Sequence, residues 1–212
     1  LNIGTSLTIG TDINFDVLKT SIYKAYERCE SMRVRFAKDK EGSCYQYVVD
    51  KEERDIEFVD FSGQTMDEAA ATMQKWTEVP FTLEDSPLNR IVMIRTPDGF
   101  NGVYLLVHHM IMDAQSLICF MKDIIELYCN AMYEGIDYPK PMSSYIEQVK
   151  RDLAYEAGSR AKERDARFFE ELIAQSEPIY NGINGPDRLE ASRIQAGNKN
   201  LRAAINTSDS ID

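Results

Sequence analysis

Val103-Tyr104-Leu105-Leu106-Val107-His108-His109-Met110-Ile111-Met112-Asp113-Ala114 is the stretch on which the fold turns. Five apolar residues form a strand pattern that runs straight into the only two histidines of the chain, and a helix pattern opens at the Asp. Imidazole is the side chain best suited to proton transfer near neutral pH. A chain this poor in His that sets both at a strand end, four residues before an Asp, has concentrated its candidate general base at one point. Strand alternation puts Val103, Leu105, Val107 and His109 on one face and Tyr104, Leu106 and His108 on the other. One pocket can therefore use only one ring directly, and His109, which shares a loop with Asp113, is the better candidate. Two packed, hydrogen-bonded core histidines are the plainer reading. A metal site built on the pair would need further ligands, since zinc takes three or four and no other His exists.

Outward from this segment the pattern alternates. Leu1 to Gly10 reads as a strand, and Asn14 caps a helix with the stripe Leu18, Ile22, Ala25 and Cys29. Met32 to Ala37 and Tyr45 to Asp50 read as strands around the turn Asp39 to Gly42, and Asp55 to Phe61 as another. Thr65 and Glu68 form a capping box before a helix carrying Met66, Ala69, Met73 and Trp76. Arg90 to Arg95 and Gly102 to His109 are strands flanking Pro97-Asp98-Gly99. A long helix from Ala114 to Glu134 carries Leu117, Phe120, Ile124, Leu127 and Tyr128, and Gly135 ends it. Ser144 and Glu147 make a second capping box, and a further helix runs from beyond Gly158 to Gln175. This order predicts an α+β fold, a mixed β-sheet with helices packed on it as a two-layer sandwich.

Composition narrows the function. The chain has 212 residues, 43% apolar, with a net charge of −11. That is enough apolar material for a core and argues against disorder. The acidity disfavours nucleic-acid binding, which needs a basic face. No apolar run approaches the roughly 18 residues of a membrane span, and no signal-peptide pattern opens the chain. Cys29, Cys44, Cys119 and Cys129 form no CxxC pair and read as reduced core residues of a cytoplasmic protein. Both ends read as cuts through a longer chain.

A second segment, Arg28-Cys29-Glu30-Ser31-Met32-Arg33-Val34-Arg35-Phe36, sets three arginines at a helix-to-strand exit. Arg33 and Arg35 are expected on one strand face. Either they are solvated charge on an edge strand, or one is buried against Asp113 as a bidentate ion pair that shapes the His loop.

These two segments resemble core motifs of the condensation domains of nonribosomal peptide synthetases. Arg28 to Phe36 is similar to their second motif, and His108 to Ala114 to their HHxxxDG motif. Ser143-Ser144-Tyr145-Ile146 and the stretch from Trp76-Thr77-Glu78-Val79-Pro80-Phe81 to Asp85-Ser86-Pro87-Leu88 fit as well. The resemblance implies a chloramphenicol acetyltransferase-like fold built from two similar halves. Residues 1–180 would be the N-terminal half, and residues 181–212 the start of the crossover to a missing C-terminal half. It implies His109 as the catalytic His, taking or orienting the proton of an amine that attacks a carrier-bound thioester. His108 would be a buried support, and Asp113 a structural partner of Arg33. No cofactor would be bound by this chain, since phosphopantetheine would arrive on partner carrier domains, with an adenylation domain as a possible neighbour. Ala114 stands where the family has Gly, and narrows the site beside a helix N-terminus whose N–H could face an oxyanion.

Two other readings use the same residues. A stand-alone transferase moving an acyl group from coenzyme A shares HxxxD, and a non-catalytic interaction module could keep the motif for structure. The double His and the arginine segment favour the condensation reading. A lone half is expected to be inactive, with an apolar face covered by a second copy in a homodimer or by the tail near Leu201 to Ile205.

Overall fold

The segment Val103 to His108 becomes the most buried strand of the molecule in the computed structural model, which describes residues 1–51 and 54–175. Two units partition the chain. The first is Leu1–Ala154; of the second, Tyr155–Asp212, residues 155–175 are described.

Unit 1 is built on a four-stranded sheet in the order β1 (Asn2–Gly10), β6 (Asn101–His108), β5 (Asn89–Arg95), β4 (Glu57–Asp60). β6 is antiparallel to both neighbours, with Ile3 opposite Val107 and Ile91 opposite Leu105, while β4 and β5 are parallel. The sheet is therefore mixed, as expected. β2 (Val34–Lys38) and β3 (Cys44–Val48) stand apart as a two-stranded hairpin.

Alternation along β6 feeds two cores. Val103, Leu105 and Val107 meet Leu18, Ile22 and Ala25 of α1 (Phe15–Arg28) and Leu117, Phe120, Ile124 and Leu127 of α3 (Ala114–Met132). Tyr104 and Leu106 meet Ala69, Met73 and Trp76 of α2 (Met66–Glu78) on the other face. Asn14 caps α1, accepting from Asp16 and Val17 N–H at 3.1 Å each, and the Thr65–Glu68 capping box opens α2. α4 (Tyr145–Glu156) crosses the unit boundary, and α5 (Arg160–Gln175) lies in unit 2.

Two expectations change. Arg33 and Arg35 do not share a strand face, because Glu30–Arg33 is a 3₁₀ turn and β2 begins only at Val34. The cysteines are not all core residues: Cys29 is buried, but Cys44 and Cys119 are exposed and Cys129 is half-buried. Cys44 sits on the exposed hairpin strand and Cys119 on the outward side of α3. The crossover expected over 181–212, with its tail near Leu201 to Ile205, lies outside the described residues.

Candidate active site

The strand β6 ends at His108, and the next five residues turn the chain into α3. Ile111 and Met112 are only 6% and 3% exposed and pin this loop into the core, so His109 and Met110 between strand and anchor are thrown outward. The turn is closed by Ile111 N–H donating to His108 O at 3.1 Å, and His109 N–H donates to Leu1 O at 2.9 Å.

His108 ends β6 and His109 lies in the turn beyond it, and the two rings have different surroundings. His108 is half-buried, its ring edge-on to Phe81 with centroids 6.4 Å apart, and Met110 N–H donates to its Nδ1 at 3.2 Å. Burial, foremost, holds its pKa below the ordinary histidine value. The expected full burial of His108 is corrected: it sits at the strand end, where the core thins. His109 is exposed and lines an open groove of about 1420 Å³.

Asp113 is the N-cap of α3. Its Oδ1 accepts Ser116 N–H at 2.7 Å, and that bond holds its carboxyl below the usual carboxylate range. Ala114 is the exposed first residue of the helix. The expected Arg33–Asp113 ion pair is absent. Arg33 donates instead to Glu27 O at 3.1 Å, Asp50 O at 3.0 Å and Val49 O, tying the end of α1 to the exit of β3. The physical reason is local: the 3₁₀ turn aims Arg33 at backbone carbonyls, while Asp113 serves its own helix.

The bidentate pair exists, with other members. Arg28, the last residue of α1, donates from Nε to Asp123 Oδ2 at 2.9 Å and from Nη2 to Asp123 Oδ1 at 3.0 Å. Arg28 also donates to Pro139 O at 3.2 Å and to Lys140 O, and its guanidinium lies 5.1 Å from the centre of the Tyr138 ring. Two residues on, the Glu30 carboxylate accepts Ser144 Oγ–H at 2.8 Å and Ile146 N–H at 3.0 Å. The Ile146 bond, foremost, holds the Glu30 carboxyl below its usual range. The arginine motif thus fastens residues 138–146 to the end of α1, and this segment lines the groove together with His109 and α3.

Sequence reasoning missed Asp123, Glu30 and this segment. One signal was available for Asp123: it is a charge set between Phe120 and Ile124 on the apolar stripe of α3, and such a charge needs a partner. The Ser144–Glu147 capping box is half right. Ser144 Oγ accepts Glu147 N–H at 3.2 Å, but Glu147 pairs with Lys150 instead of returning a bond, and Glu30 caps the first turn through Ser144 Oγ–H and Ile146 N–H. Among the described residues no three His, Cys, Asp or Glu side chains converge as a metal site, and no helix is long and apolar enough to cross a membrane.

The model of the Condensation domain family matches residues 1–210. Cyclosporin synthetase simA of Tolypocladium inflatum is 24% identical over 181 residues, covering 84% of this chain and 1% of the synthetase. Surfactin synthase subunit 2 of Bacillus subtilis is 26% identical over 174 residues, covering 82% of the chain and 5% of the subunit. Among solved structures, the starter condensation domain of rhizomide synthetase RzmA superposes with a TM-score of 0.68 at 20% identity, over 84% of this chain and 43% of that one. VibH, an NRPS condensation enzyme, gives 0.67 at 17% identity, over 83% and 40%. The chain thus spans less than half of the solved proteins it resembles and a few per cent of the synthetases. With the HHxxxD loop and the arginine motif both placed on one groove, and the family model running nearly end to end, the chain belongs to the condensation-domain family.

Proposed function

We propose that this chain is the N-terminal part of a peptide-synthetase condensation domain that forms amide bonds between carrier-bound thioesters. The observation that carries this reading is His109, set outward on a pinned loop at the mouth of a groove. The acyl donor and the amine acceptor arrive on phosphopantetheine arms of carrier domains, with an adenylation domain supplying activated monomers. The amine nitrogen attacks the thioester carbonyl carbon; the N–C bond forms as the C–S bond breaks. His109 takes or orients the proton that the amine loses, and that proton ends on the departing thiolate. His108, packed edge-on against Phe81, steadies the strand end beside it. Asp113 holds the start of α3, and Ala114 sets the room at its first turn. Arg33 supports the site through the α1–β3 junction.

Residues 1–180 form this subdomain and 181–212 lead toward a C-terminal half that supplies the facing wall. The isolated chain is then inactive, and it works in the cytoplasm with the synthetase. The test is a condensation assay with loaded carrier proteins, comparing the parent with its His109→Ala variant. Loss of amide product in the variant supports the reading. Full product leaves His109 a bystander and removes the basis for it.

A further inference from the structure

The arginine motif carries more than a fold. Arg28 reaches one side chain and two backbone carbonyls at once: Asp123 on α3, and Pro139 and Lys140 on the segment after it. Asp123 is 4% exposed, so the charge pair sits beneath that segment rather than on the surface. Glu30 then anchors the far end of the same segment at Ser144 and Ile146. Between these two anchors lie Pro139, Lys140, Pro141, Met142, Ser143 and Ser144, all lining the groove that His109 opens into. Residues 138–144 carry no regular secondary structure, so no ladder of backbone bonds holds them. Their place is set by the polar anchors Arg28, Asp123 and Glu30, together with the burial of Pro139 and the packing of Met142 against the core.

We propose that Arg28 and Asp123 are a positioning pair that fixes residues 138–144 as a wall of the groove, and so seats the acyl donor opposite His109. The groove is apolar where this wall meets the loop, with Met110, Ile136 and Tyr138 exposed on it and Met142 half-buried beside them. The acyl class it suits is therefore a bulky uncharged one. The substrate part of this inference rests on the condensation reading; the wall itself does not.

A built-in reporter separates the two. Cys29 lines the groove, is 8% exposed, and has its thiol pKa pushed up by burial, whereas Cys119 is exposed on the same groove. In the full chain, labelling by a thiol reagent is followed residue by residue in wild type, Asp123→Asn and Arg28→Lys. Arg28→Lys keeps the charge but cannot make the bidentate pair and both carbonyl contacts. The expected result is a rise of about tenfold or more in Cys29 labelling, as opening of the wall becomes easier, with Cys119 unchanged and the circular dichroism spectrum retained. The pH midpoint of Cys29 labelling should fall toward that of an ordinary thiol. Should Asp123→Asn fail to fold, Arg28→Lys decides. Unchanged Cys29 labelling in a folded Arg28→Lys variant overturns the positioning role.

In the parent synthetase, Arg28→Lys is expected to raise the donor KM by about tenfold with kcat within about twofold, whereas His109→Ala lowers kcat. A kcat loss at constant KM in Arg28→Lys, or no change in either, overturns the seating role. If His109→Ala keeps full turnover, the condensation reading and the seating role built on it fail together, while the labelling result still judges the wall.

Discussion

At the scale of single residues, the site rests on which side chains are pinned and which are thrown free. His109→Ala in the parent is expected to lower turnover by about 10²–10⁴, the usual worth of a positioned proton acceptor, measured as single-turnover amide formation. Removing one member of the Arg28–Asp123 pair is expected to destabilise unit 1 by about 3–5 kcal/mol, read by urea unfolding of Asp123→Ala. The pair's side chains are 16% and 5% exposed, so the removal strands a charge out of water. The same substitution at Asp113 should act differently: its carboxylate is exposed and loses only its bond to Ser116 N–H, so the start of α3 frays while the core stays closed. Hydrogen exchange at Ser116 reads this directly. The places of His109 just past a strand end and of Asp113 at a helix start were legible because a strand end and a helix start are local signals. The partner of Asp113 was not legible, because which arginine reaches which acid depends on a 3₁₀ turn that periodicity does not announce.

At the scale of elements, the helices and the central strand could be read because each buries one continuous stripe. The stripe Leu117, Phe120, Ile124, Leu127 and Tyr128 is buried throughout, and so is Leu18, Ile22 and Ala25. Detachment of the β2–β3 hairpin from the main sheet could not be read, since pairing partners leave no trace in a strand's own period. The cap of α4 was obscured for a related reason: Glu30 acts across 116 residues in place of the local Glu147. Its lowered pKa gives a sign. A carboxyl depressed by folding contributes stability that is full above its unfolded value and is lost as pH falls through its folded one. The stability gap between wild type and Glu30→Gln should therefore be constant near neutral pH and close below about pH 4.5, followed by denaturant unfolding across pH. On the sheet, Gly102 of β6 stands opposite Thr8 of β1, and a Cβ there would lie 1.9 Å from Leu7 O. Gly102→Ala should cost about 3 kcal/mol, at the upper end for ordinary substitutions, with exchange protection lost first in β1.

At the scale of the whole molecule, unit 1 owns a two-sided core around β6 and has what it needs to fold. A side-by-side assay of this chain and its parent with loaded carriers should give amide product from the parent alone; equal turnover from the chain would point to a complete small transferase. The sheet order has a further consequence in time. β6 meets β5 across a short turn, but its other neighbour, β1, was made about a hundred residues earlier, with Asn2 opposite His108. During synthesis at about 5–20 residues per second, β1 waits several seconds or more before the histidine strand exists to pair with it. The β5–β6 hairpin should gain amide protection in the earliest phase of pulse-labelled refolding, and β1 only in the last. The loop bearing His109, whose N–H is held by Leu1 O, then acquires its final shape at the moment the two ends of this long wait meet.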